Sequence, residues 1–273
     1  MEVHILKPRK AINKAFLKIK PNRTDIESFK THLIQLLDRT NETESEKFHK
    51  NLVSDFLKKT YYEPKHFINT KGRNDLVIHN GNKAKSTVGV IIEAKKPTNK
   101  AEMLKAFAKG DTPEQTRAKI NVKAFQELVL YYLRERITHK NLELKYVVAT
   151  NINEWFLFDA NVFERQFAQN KAFVKQFNDF ENGRLAGKTT DFFYKEIAEP
   201  FINDLKQEIE YTFFDIRDYE KPLRNNDPNE MTDLAKQPQR QEKIKVLFKD
   251  LMELQKTMSG ELDLQRTHDK VVP

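Results

Sequence analysis

One stretch constrains the fold more than any other: DLVIHNGNKAKSTVGVIIEAK, residues 75–95. Two short apolar runs rich in β-branched residues flank a polar segment carrying Asn80-Gly81, a dipeptide that accepts the positive φ of hairpin turns. The expected element is a hairpin of two antiparallel strands. Charge sits at the ends of these runs, in Asp75, Glu93 and Lys95, where burial is costly unless the charges are paired or put to use. Side chains alternate along a strand, so Ile91, Glu93 and Lys95 point one way and Val90, Ile92 and Ala94 the other. The second set is the expected core. The first places a carboxylate and an ammonium together on the opposite surface, with Asp75 near them across the hairpin.

Two neighbouring carboxylates repel, which favours either a raised pKa or a hard cation between them. Oxygen donors of this kind suit Mg²⁺ rather than zinc. The chain of 273 residues has no cysteine, and its seven histidines form no tight cluster, so thiolate metal sites and disulfides are excluded. Such an ion polarises a phosphodiester and acidifies a bound water, while Lys95 orients that water or neutralises developing charge. The chemistry expected is phosphodiester hydrolysis. The plainer alternative is a turn-capping Asp75 and a solvated Glu93–Lys95 pair on an exposed sheet face.

A hydrophobic fraction of 38% supports a real core, and a formal net charge of +8 suits a polyanionic partner. No run reaches the roughly 18 apolar residues of a membrane span, and MEVHILKPRK lacks a signal-peptide core, so the expectation is a soluble cytoplasmic protein with no membrane partner.

Along the chain, TDIESFKTHLIQLLD (24–38) predicts an amphipathic helix capped by Thr24, and Phe48, Leu52, Val53, Phe56 and Leu57 mark a second, both preceding any strand. Residues 98–120, broken by Gly110 and Pro113, predict a mobile excursion. NVKAFQELVLYYLRERI predicts a helix, and LKYVVATN and EWFLFDA two further strands. From 163 to 214 phenylalanines recur at helical spacing and predict core helices. The resulting division is residues 1–65, an N-terminal helical part; 66–160, the core sheet and helix; 161–215, packed helices; and 216–273, a helical linker or appendage with one amphipathic helix, IKVLFKDLMELQKTM.

Asn74-Asp75 followed by Glu93-Ala94-Lys95 resembles the PD-(D/E)xK nuclease superfamily, with Asn74 where that family has proline. The resemblance implies a restriction-endonuclease-like α/β fold, a mixed sheet of four or five strands flanked by helices with a helical C-terminal extension. It also implies that Asp75 and Glu93 bind metal, that the Ala94 backbone carbonyl completes the ligand set and that Lys95 handles the attacking water. Family members often add a helical Glu upstream. Glu46, which shares a helix face with His49 and Val53, takes that place or simply compensates the helix dipole. Gln126 and Tyr131 resemble the Gln-to-Tyr helix motif of the RecB-like branch, although Leu130 holds the usual tyrosine position; the plain alternative is a surface Gln beside a core Tyr. Lys71 and Arg73, beside Asp75, are candidates for phosphate contact or ordinary solvated loop charges, and Lys96 is a further DNA-binding candidate.

The layout over about residues 1–215 is similar to the amino-terminal endonuclease region of Type IIG restriction-modification enzymes, in which VVATNINEWFLFDA has its counterpart and Asn151 and Trp155 serve packing and turn roles. The resemblance implies a Mg²⁺-dependent hydrolase, a site-specific endonuclease acting on double-stranded DNA, with Mn²⁺ able to substitute; one metal site cuts one strand, so cleaving a duplex takes either a dimer on DNA or two sequential nicks. It also implies methyltransferase and target-recognition regions in the same or a partner polypeptide. The chain has neither a glycine-rich cofactor turn nor an Asn-Pro-Pro-Tyr motif, so S-adenosylmethionine is not expected to bind here. The rival reading is a non-catalytic DNA-binding or methyltransferase-docking module. NGRLAGKTT (182–190) lacks the glycine and the leading strand of a phosphate loop, and Thr189 or Thr190 reads as a helix cap.

Overall fold

The computed structural model of the chain describes residues 3–11, 23–70, 76–108 and 110–218. It is an α/β fold in which helices flank a mixed sheet. In chain order the elements are β1 (Val3–Leu6), α1 (Pro8–Ala11), α2 (Arg23–Arg39), α3 (Glu46–Leu57), β2 (Ile68–Asn69), β3 (Leu76–His79), β4 (Val88–Ala94), α4 (Pro113–Ile120) and α5 (Lys123–Leu133). They continue with β5 (Tyr146–Thr150), β6 (Glu154–Asp159), α6 (Ala160–Phe163), α7 (Lys171–Glu181), α8 (Thr190–Phe192), α9 (Glu199–Asp204) and β7 (Ile209–Asp215). Helices α3, α5, α6 and α8 each run on into a π-helical turn.

The seven strands lie in the order β1-β7-β6-β5-β4-β3-β2, more than the four or five expected. The expected hairpin is present, with Leu76 paired to Ile92 and His79 to Val88. On its other edge β4 runs parallel to β5, Glu93 opposite Ala149. A parallel neighbour needs a long crossover, and residues 95–145, including α4 and α5, supply it.

Both faces of the sheet are covered. On one, Ile91, Val147, Ala149, Phe156 and Phe158 pack with α5, α7 and the helices after them. On the other, Val90, Ile92, Val148 and Leu157 pack with Phe29 and Leu33 of α2 and Val53 and Phe56 of α3. The surface expected to carry Glu93 and Lys95 is therefore a second core, which is why β4 reads as a continuous apolar run. Phe125 of α5 meets Phe158 and Phe163 with ring centroids 5.4 Å away in each case. Truncating it to alanine costs about 3–5 kcal/mol of stability.

Four expectations change. A strand, β1, precedes the helices and pairs in parallel with β7, Val3 opposite Ile209. Residues 209–215 form that strand rather than helix, because Ile209, Tyr211 and Phe214 are buried while Glu210 is exposed, and aromatic and β-branched side chains suit a pleated surface. Helix α2 begins at Arg23, one residue before its expected cap. The stretch 98–120 is packed in part: Met103 and Leu104 are buried, and Thr112 closes a capping box with Gln115 at the start of α4. Pro113 there begins a helix, since its missing N–H is one that a first turn leaves unpaired anyway. Thr189 does cap α8, accepting from the Phe192 N–H. The appendage beyond Asp218, with the helix expected at 244–258, lies outside the described residues.

Candidate functional site

The site is built where β4 and β5 end together. The ladder carries Ala94 opposite Thr150, and the Lys95 N–H still donates to the Thr150 carbonyl at 2.8 Å, so the backbone beneath both charged side chains is held. The carboxyl ends of adjacent parallel strands are where open α/β sheets place ligands. Helix α5 crosses this end with every residue from Ala124 to Leu133 buried, and it brings Glu127 against Lys95. Helix α3, capped by Ser45 accepting from the Phe48 N–H at 3.2 Å, contributes Glu46 from its first turn. The segment ahead of α4 contributes Glu102.

Glu93 is 1% exposed, Lys95 3% and Glu127 7%. The Lys95 ammonium is 2.6 Å from Glu127 Oε2 and 2.8 Å from Glu93 Oε1, with Glu102 at 3.7 Å and Glu46 at 3.9 Å. Glu93 and Glu127 lie within hydrogen-bonding reach of one another. At the rim Glu102 also accepts from Lys123 at 3.0 Å and from the Asn99 amide at 2.9 Å. Four carboxylates thus share two ammonium groups, so full ionisation leaves an excess of negative charge, with Glu93 and Glu127 enclosed and Glu46 and Glu102 at the wetter rim.

The electrostatics follow from that imbalance. Burial pushes the Glu127 carboxyl above its ordinary range, against the opposing pull of Lys95. Burial alone would depress Lys95, but the Glu93 and Glu127 carboxylates outweigh it and hold the ammonium well above its usual range. Lys95 is a fixed cation, suited to charge neutralisation rather than proton abstraction. Tyr194, in the π turn after α8, is pushed up to about 12 by burial and then by the negative charge of Glu127 and Glu93.

These donors fit a hard cation in chemistry: they are carboxylate oxygens, crowded and short of positive charge. In arrangement they gather on the ammonium, and among the described residues no three His, Cys, Asp or Glu side chains form a metal cage. Asp75 precedes Leu76 directly, but it lies outside the described residues, as do Lys71 and Arg73.

Of the predicted site residues, Glu93 and Lys95 come together and Glu46 stands at the rim. Ala94 is buried in the ladder beside them. Lys96 is half-buried, its carbonyl accepting from the Asn99 N–H in the turn that leaves the strand. Gln126 is not in the site: its amide donates to Asn121 Oδ1 at 2.9 Å. Successive helical residues point about 100° apart, so the side chain aimed at Lys95 is the next one, Glu127. Tyr131 is a core residue. Sequence reasoning missed Glu127 and Glu102. Glu127 carried the same signal as Glu93, a carboxylate inside an otherwise apolar run, whereas Glu102 stood in the stretch read as an excursion.

Among the described residues no helix is long and apolar enough to cross a membrane. Comparison with curated proteins and with solved structures returned no match to the chain. A family model described as a domain of unknown function, DUF7149, matches residues 6–261. That match spans most of the 273 residues, and the chain belongs to the DUF7149 family.

Proposed function

We propose that this chain is the cleavage module of a restriction-modification system, a Mg²⁺-dependent endonuclease of PD-(D/E)xK type. The observation that carries the reading is the placement of Glu93 and Lys95 side by side at the end of β4, inside a cluster with more carboxylates than cations. A buried ion pair alone would be balanced; surplus acid at a strand end is what a site for a hard cation requires. Glu93, Asp75 and the Ala94 carbonyl would hold the ion, with Mn²⁺ as a substitute. When bound it would supply Lewis acidity and a more acidic water. The chain's own residues do the rest: Glu93 anchors the donor set on a rigid strand, and Lys95 presents a permanent positive charge to a phosphate oxygen. The net charge of +8 favours double-stranded DNA as the partner, and a single site of this kind cuts one strand, so a dimer forms on DNA for duplex cleavage. Methyltransferase and target-recognition functions belong to other regions of the same or a partner polypeptide, and the compartment is the cytoplasm.

The test is nicking of supercoiled plasmid with Mg²⁺ or with EDTA, by wild type and by Asp75→Ala, Glu93→Ala and Lys95→Ala. Metal-dependent nicking lost in all three variants is expected; its retention in all three overturns the assignment. Independently of activity, Mg²⁺ should raise the melting temperature of wild type and not of Glu93→Gln, because a ligand stabilises only the state that binds it.

A second reading draws on the burial of the same groups. Glu93 and Lys95 are so enclosed that the cluster also suits a non-catalytic DNA-binding or docking module with a nuclease-like sheet, held together by its ion pairs. It predicts DNA retention without metal and no Mg²⁺-dependent nicking.

A further inference from the structure

Glu127 is the residue that the nuclease reading does not use. It approaches the Lys95 ammonium more closely than Glu93 does, 2.6 Å against 2.8 Å, and from a different element. One carboxylate suffices to neutralise Lys95, and a second buried at 7% exposure adds desolvation cost with no gain in charge balance. Its helix is anchored: Ala124, one turn before it, and Leu128, next to it, are fully buried in the core that α5 shares with β4 and β5. Lysine has four rotatable side-chain bonds, and one carboxylate restrains it poorly; two, offered by β4 and by α5, fix where its ammonium lies.

We propose that Glu127 is a positioning residue of the site, pinning the Lys95 ammonium against the end of β4 so that it meets a phosphate oxygen in a set place. The proposal rests on the nuclease reading above and makes helix α5 the second element that holds the Lys95 ammonium in place. Accurate placement of a charged group governs rate more than substrate affinity, so the effect falls on kcat.

The experiment is plasmid nicking by the full chain in Mg²⁺, comparing wild type with Glu127→Gln, Glu127→Asp, Lys95→Met and the double variant Lys95→Met/Glu127→Gln, each checked by thermal unfolding. Glu127→Gln should lower kcat about 10- to 100-fold while KM stays within about twofold. Glu127→Asp should recover part of the rate. The double variant should be no slower than Lys95→Met alone, because a residue that acts through Lys95 has nothing left to position. Nicking by Glu127→Gln at the wild-type rate overturns the proposal, and so does a double variant slowed by the product of the two single effects. Should Glu127→Gln melt below the assay temperature, Glu127→Asp carries the test, and a wild-type rate there overturns it. Wild-type protein that nicks with neither Mg²⁺ nor Mn²⁺ overturns the nuclease reading itself, whereas active wild type with an unaffected Glu127→Gln removes only the role of Glu127.

Discussion

Two charged clusters flank helix α5, and they are built on opposite terms. Past its C-terminal end, Arg136 holds Glu164 in a two-pronged grip, Nε to Oε2 at 2.8 Å and Nη2 to Oε1 at 3.0 Å, and the Tyr132 hydroxyl donates to the same carboxylate at 2.8 Å. One cation meets one anion, the donors are aimed, and both side chains are about a quarter exposed. At the other end Lys95 faces four carboxylates, two of them almost entirely enclosed. The first is what a structural ion pair looks like. The second is poorly arranged for stability, and strain of this kind concentrates where a chain has a task. The difference teaches that the excess of charge, rather than the existence of an ion pair, marks the candidate site.

That contrast can be broken experimentally. The largest effect is expected from Lys95→Met, which strips the cation from enclosed carboxylates and should cost about 3–5 kcal/mol in urea unfolding. An unchanged unfolding midpoint would mean the surplus is illusory. Next, Glu164→Gln removes the charge that Arg136 grips and replaces one of the two acceptor oxygens with an NH2 donor, and should cost about 1–2 kcal/mol, while plasmid nicking stays at the wild-type rate; a loss of nicking would merge the two clusters into one functional unit. Smaller still, Glu127→Gln should hold or raise stability, within about 1 kcal/mol, because it relieves crowding of like charge. Stability kept while rate falls is the trade expected of a functional residue.

The smallest effect concerns acid. Burial alone would raise the Glu102 carboxyl, but hydrogen bonds from Lys123 and Asn99 and the charge of Lys95 bring it below its ordinary value of 4.5. Its stabilising contribution is therefore complete above that value and lost as pH falls through the lowered one. The gap in unfolding midpoint between wild type and Glu102→Gln, a few tenths of a kcal/mol for so open a group, should close in acid. A gap that widens instead would place Glu102 among the crowded acids rather than the balanced ones.

Local patterns carried the centre of the molecule. Alternation with misplaced charge exposed β3, β4, Glu93 and Lys95, because strand period and the cost of buried charge are both short-range rules. Non-local partners were invisible. Strand β1 has only four residues and exists through its pairing with β7, and β7, with Phe213 and Phe214, follows a series of phenylalanines at helical spacing and reads as its continuation. Glu127 was missed by one position, since the Gln-to-Tyr helix motif singles out Gln126 and not the acid beside it. Glu102 was lost with Thr112-Pro113, a start signal read as a break.

The pairing of β1 with β7 also has a consequence for synthesis. Val3 leaves the ribosome well ahead of its partner Ile209, which emerges only after most of the described residues have been made. Until then the growing sheet ends at β6, whose Trp155, Phe156 and Leu157 offer open backbone to any passing strand. Closure must wait on the widest strand separation among the described residues, so this edge is where a chaperone would earn its keep and where truncated chains should clump first.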